Sequence, residues 1–145
     1  MSGQPGRVEP AKKNILLAGA TGYIGRFVAR ELIHRGYTVV ALVRPAPDRT
    51  PASLRADLPG CDVLVSSFSG ADVLKGSLKG RKVDAVVSCI ASRNGAPDDA
   101  WRVDFAANRA LLEAAYGLEL RKFILLSAIC VQRPLLEFQR AKLAF

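Results

Sequence analysis

Histidine, cysteine and acidic side chains are all scarce in this chain. Its 145 residues hold one histidine, three cysteines and 13 acidic residues against 21 Lys and Arg, a formal net charge of +8. The single histidine, His34, falls near the end of an expected helix, where an exposed or half-buried structural role is expected rather than catalysis. Cys61, Cys89 and Cys130 lie far apart and two of them sit in apolar strand-like runs. This favours buried free thiols over a disulfide or a metal site, and with them a reducing compartment. Long apolar runs are missing too: none approaches a membrane span, no signal-peptide core opens the chain, and there are no internal repeats. The positive charge is scattered, with nothing longer than the pairs Lys12-Lys13, Arg81-Lys82 and Arg121-Lys122. It reads as solvated surface that also favours an anionic ligand, and not as a nucleic-acid-binding stripe.

What the chain does have is glycine in one informative pattern. Asn14-Ile15-Leu16-Leu17-Ala18-Gly19-Ala20-Thr21-Gly22-Tyr23-Ile24-Gly25 reads as an apolar strand, a glycine-rich turn and the opening of a helix whose apolar residues Ile24, Phe27, Val28 and Leu32 recur at helical spacing. The spacing is G-x-x-G-x-x-G. One glycine permits the tight turn off the strand, one lets the backbone approach a pyrophosphate, and one lets the helix pack closely. An anion on the helix N-terminus would meet unpaired N–H groups and the positive end of the helix dipole. A turn that merely connects strand to helix would leave the third glycine without a purpose.

The length fits one domain with a sizeable core. Residues 1–13, with two prolines and two glycines, read as a flexible leader before a dinucleotide-binding domain over residues 14–145. After the first helix, residues 38–43 form a second strand, apolar on both faces, as in a parallel sheet covered by helices on both sides. It ends at Arg44, where an acidic residue would hold the ribose hydroxyl of NAD and an arginine suits the extra phosphate of NADP. Residues 45–60 are a Pro-rich loop with one helical turn near 53–56. Strands follow at 62–66 and 83–90, separated by a short helix over 70–78. Ala91 and Ser92, at the end of the fourth strand, are expected beside the nicotinamide half of the cofactor. A helix over 98–116 carries Trp101, Phe105, Leu111, Leu112 and Ala115, with Trp101 a packing residue. A fifth strand over 122–126 delivers Ser127 to the mouth of the site, and a last helix opens near 134–135. The expected fold is an α/β, Rossmann-like, doubly wound parallel sheet, incomplete after the fifth strand and the start of the next helix, with no substrate lobe.

The glycine motif and a strand ending at Ser127 resemble the short-chain dehydrogenase/reductase superfamily, in its extended and atypical members. The run Leu125-Leu126-Ser127-Ala128-Ile129-Cys130-Val131-Gln132-Arg133-Pro134-Leu135-Leu136-Glu137-Phe138-Gln139-Arg140-Ala141-Lys142, with Ala91-Ser92-Arg93 and Trp101-Arg102-Val103-Asp104, is similar to the family of divinyl chlorophyllide 8-vinyl reductases. That resemblance covers residues 13–145.

The resemblance implies NADPH as cofactor, held by Gly19, Thr21, Gly22, Tyr23, Ile24, Gly25 and Arg44, to which the strand-end position adds Ala91, and a divinyl chlorophyllide-type tetrapyrrole as substrate. It further implies that Lys142 anchors the nicotinamide ribose and that Ser127 lines the reacting edge. The superfamily's catalytic tyrosine falls at Phe138, its helix asparagine at Asp104, and its adenine-contacting aspartate is replaced at Ser66-Ser67. A phenyl ring has no proton to give, which disfavours carbonyl reduction and fits reduction of a vinyl group. The rival expectation is a redox-sensing NADP-binding module without catalysis, equally compatible with Phe138. A bacterial cytoplasm is the expected setting, since no plastid-type leader precedes the motif.

Overall fold

A computed structural model describes residues 12–118 and 120–145. Of the expected leader, residues 1–11 lie outside the described residues. Strand β1 (Asn14–Ala18) leads through the glycine turn into helix α1 (Tyr23–His34), which is followed by β2 (Thr38–Val43). Then come α2 (Pro51–Asp57), β3 (Asp62–Val65), α3 (Ala71–Leu78) and β4 (Ala85–Ser88). The next helical stretch has three parts: α4 (Pro97–Ala100), a wide π-type segment (Trp101–Ala107) and α5 (Asn108–Tyr116). Strand β5 (Lys122–Leu125) and helix α6 (Glu137–Ala144) complete the described chain.

The five strands form one parallel sheet in the order β3-β2-β1-β4-β5. This order puts β1 at the centre, and the chain reverses direction across the sheet on either side of it. Alternation along β1 and β2 sends Leu16, Ala18, Val40 and Leu42 to one face, under α3 and α5. Leu17, Val39, Ala41 and Val43 go to the other face, under α1 and α2. The expectation of a doubly wound parallel sheet stands on these two cores. Each fully buried leucine contributes roughly 1.5–3 kcal/mol relative to exposure, so the pair of faces is the main source of stability.

Four details depart from the sequence reading. Ile24 and Phe27, expected on the buried face of α1, are about half exposed, and Gly25 and Ala29 are buried instead. Closeness to the turn excludes a side chain at Gly25, and partly buried Val28, Leu32 and Ile33 pack against the core beside Ala29. Helix α2 has nearly two turns rather than one: Thr50 Oγ1 accepts the Ser53 N–H, Ser53 Oγ accepts the Thr50 N–H, and Pro51 takes the first helical position. Helix α6 starts at Glu137, after Pro134 and Leu135, because the Gln139 side chain accepts the N–H groups of Leu135 and Leu136 and holds that stretch extended. The cysteines are free, as expected, but Cys61 and Cys89 are only half-buried and Cys130 is exposed. Burial pushes both half-buried thiols up from their usual range. His34 is exposed beside Glu31, in a surface role.

Candidate functional site

The turn between β1 and α1 is made by backbone alone. Gly19 has φ +81°, a left-handed conformation that favours glycine, and a Cβ there would sit 2.7 Å from the carbonyl of Cys89 at the end of β4. A Cβ on Gly25 would lie 2.0 Å from the Gly19 oxygen, so the third glycine is what lets α1 start directly against the turn. The Gly22 N–H closes the turn onto Gly19 O at 3.1 Å, and no side chain caps α1. The first turn of the helix therefore presents its amides outward to a ligand, as an anion site requires.

Beside this turn lies a cleft of about 380 Å³ at the carboxyl ends of the strands. Gly19, Thr21 and Gly22 form its floor, Arg44 its rim at the end of β2, and Ile90 and Ala91 its wall beyond β4. Arg49, Arg93 and Arg102 also line it, and among the described residues no carboxylate does. A cavity with four guanidiniums and an uncapped helix start fits a dinucleotide phosphate chain in size and in charge. Ser67 and Phe68, after β3, flank the side where an adenine would lie.

Of the residues singled out in the sequence, Gly19, Thr21, Gly22, Arg44 and Ala91 line the cleft, and Tyr23, Ile24, Gly25, Ser127 and Lys142 do not. Gly25 serves the turn from behind. Tyr23 is largely exposed, edge-on to Phe27 with ring centroids 5.3 Å apart. Ser127 is exposed just beyond β5. Phe138 is half-buried on α6.

Lys142 is in a different environment from the one expected for a ribose anchor. Its side chain is 4% exposed, and Nζ donates to the carbonyls of Ile90 and Leu126, each at 3.2 Å. Nζ also lies 3.1 Å from Oδ1 of Asp104, whose side chain is fully buried. That oxygen accepts no directed hydrogen bond, so the contact is charge against charge while the directed donors go to the carbonyls. The other carboxylate oxygen, Oδ2, accepts the Ser92 N–H at 3.1 Å.

Asp104 reaches this position through the π segment, which the sequence reading took as part of an ordinary helix over 98–116. Buried Val103 and Asn108 are five residues apart, a spacing that the extra residue of a wide turn brings onto one face. The Asn108 amide donates to the Asp104 carbonyl at 2.9 Å, and its oxygen accepts the hydroxyl of buried Ser88. Trp101, 40% exposed, packs edge-on against Phe105 and donates its indole N–H to Glu137 at 3.0 Å. With Arg140, that bond holds the Glu137 carboxyl below its usual range.

A Rossmann-type half-sheet with a glycine turn and a basic cleft defines a nucleotide-binding domain. The chain belongs to the NAD(P)H-binding family, whose model matches residues 19–144. It is 47% identical over 148 aligned residues to the divinyl chlorophyllide a 8-vinyl-reductase of Oryza sativa subsp. indica, an alignment covering 98% of this chain and 36% of that protein. It is 32% identical to the photosystem II assembly factor Ycf39 of Cyanophora paradoxa, over 80% of this chain and 34% of that one. The chain thus spans about a third of the length of these curated relatives. Among solved structures, UDP-galactose 4-epimerase superposes with a TM-score of 0.74 at 20% identity, covering 90% of this chain and 48% of the other, and shows the shared fold.

Proposed function

We propose that this chain forms the cofactor-holding part of an NADPH-dependent enzyme that reduces the 8-vinyl group of a divinyl chlorophyllide-type tetrapyrrole to ethyl. The observation that carries this reading is the 47% identity to a named vinyl reductase across nearly the whole chain. When bound, NADPH supplies the hydride for addition across the double bond. Gly19 and Gly22 admit the diphosphate, and Arg44 meets the 2′-phosphate that distinguishes NADPH from NADH. Arg93 and Arg102 add positive charge on the β4 side of the cleft. Because an alkene has no carbonyl oxygen to protonate, the phenyl ring of Phe138 is compatible with this chemistry. Much of the barrier reduction would come from holding nicotinamide and vinyl group in register. Three free thiols support a reducing compartment as its setting.

A non-catalytic reading, an NADPH-binding module of the regulatory or assembly type, is favoured by Phe138 and by the 32% identity to Ycf39. One experiment separates the two. The full-length protein that contains this chain is mixed with NADPH and divinyl chlorophyllide, and the blue absorption band is followed. A shift to shorter wavelength, as a vinyl group leaves conjugation, is the expected result. Bound NADPH without any shift from that full-length protein would overturn the reductase reading in favour of the module.

A further inference from the structure

The cleft has two ends, and NADPH would bring its charge to one side of it. Strand order puts the adenosine half at Arg44, after β2, and the nicotinamide half at Ile90 and Ala91, after β4. The diphosphate falls to the backbone amides of the Gly19–Gly22 turn, and the 2′-phosphate to Arg44, with Arg49 in the loop that follows. The nicotinamide and its ribose carry no anion of their own. Two further guanidiniums, those of Arg93 and Arg102, nevertheless line the β4 side. Arg102 has a partner, Oδ1 of Asp99 at 2.6 Å. The Arg93 guanidinium has no carboxylate partner among the described residues, although its backbone is fixed. Its N–H reaches Oδ2 of Asp99 at 3.3 Å, and Asn94 Oδ1 accepts the Ala96 N–H at 2.9 Å.

We infer that Arg93 receives a carboxylate of the second substrate, the organic acid that is reduced, at the nicotinamide end of the cleft. The inference rests on the vinyl-reductase reading above and extends it to the far side of the substrate. A chlorophyllide carries one free propionate, on the ring across the macrocycle from the 8-vinyl group. With the vinyl group at the nicotinamide, that carboxylate falls at the rim and not in the pocket, and Arg93 is an exposed rim residue. A guanidinium can grip a carboxylate through two parallel N–H donors, which fixes orientation as well as adding affinity. Asp99 serves the site from behind, since it engages Arg102 and anchors the Arg93 backbone.

The test uses the full-length protein that contains this chain, with NADPH and two substrates. One is divinyl chlorophyllide and the other its propionate methyl ester, which keeps the macrocycle and the vinyl group and loses the charge. The unmodified protein should show a kcat/KM for the acid about tenfold above that for the ester. Arg93→Ser should bring that ratio to about one, through the KM of the acid, with the dissociation constant of NADPH changed by less than about twofold. Turnover of both substrates without preference by the unmodified protein, a comparison that needs no variant, would overturn the carboxylate site and leave the reductase reading standing. A preference that survives in Arg93→Ser would also overturn it. So would a parallel loss of NADPH affinity, which would assign the guanidinium to the phosphates of the cofactor. Absence of any turnover by the unmodified protein would overturn the reductase reading and this site with it.

Discussion

The two ends of the cleft are built by opposite means. The diphosphate floor uses no side chain: three glycines fold the backbone so tightly that a methyl group on Gly19 or Gly25 would meet another carbonyl. The wall beyond β4 is held by side chains, with Ser88, Asn108, Asp104 and Lys142 all buried and satisfied mainly by one another and by backbone. The floor is local, within one strand-turn-helix unit. The wall joins residues as far apart as Ile90 and Lys142. A local device fails at one position; a distributed one fails wherever a charge loses its partner.

That contrast is open to attack from both sides. The largest effect is expected at the wall: Asp104→Ala strands a buried ammonium and should cost about 3–5 kcal/mol in urea unfolding. At the floor, Gly25→Ala should weaken NADPH about a hundredfold in fluorescence titration, roughly 2.7 kcal/mol, because α1 must move off the turn to admit the methyl group. If Gly25→Ala bound normally, the backbone account of the floor would be wrong. At the rim, Arg44→Ser should weaken NADPH about tenfold and leave NADH nearly unchanged, since one charge-assisted contact to the 2′-phosphate is lost.

The smallest effect concerns the Trp101–Glu137 bond between the π segment and α6. Its carboxyl is held below the ordinary 4.5 chiefly by the indole N–H, with help from Arg140. A carboxyl depressed in the folded state stabilises it above the unfolded value, and that contribution is lost as pH falls through the lower folded value. Acidification below 4.5 should therefore change the emission of the single tryptophan, and Glu137→Gln should remove that response. A response that persisted in the variant would place its origin elsewhere.

The floor was legible in the sequence and the wall was not, for a physical reason. Glycine spacing, the apolar run before it and Arg44 after β2 all report on neighbours close along the chain, where steric rules act directly. Strand positions followed from continuous apolar runs, so β2 was read to the residue. Helical spacing marked Val28 and Leu32, which pack on the core, but also Ile24 and Phe27, which do not, because the helix starts directly against the turn at Gly25. Asp104 was noticed only as a departure from a family pattern. That it pairs with Lys142 depends on how the π segment and α6 pack, and no local signal in the sequence encodes that. The five-residue spacing from Val103 to Asn108, with polar side chains at buried positions, was the one available hint.

The wide turn over Trp101–Ala107 also makes this stretch sensitive to winding rather than to composition. An α-helix advances by about 100° per residue. Wound as an ordinary α-helix, the segment would carry Val103 about 140° away from Asn108, whereas Asp104 would stay within about 40° of it. Substitutions at exposed Arg102 or Ala106 would leave that phase intact. The face that this stretch turns to the sheet is thus set by its winding more than by its exposed side chains, much as a gear is limited by its number of teeth.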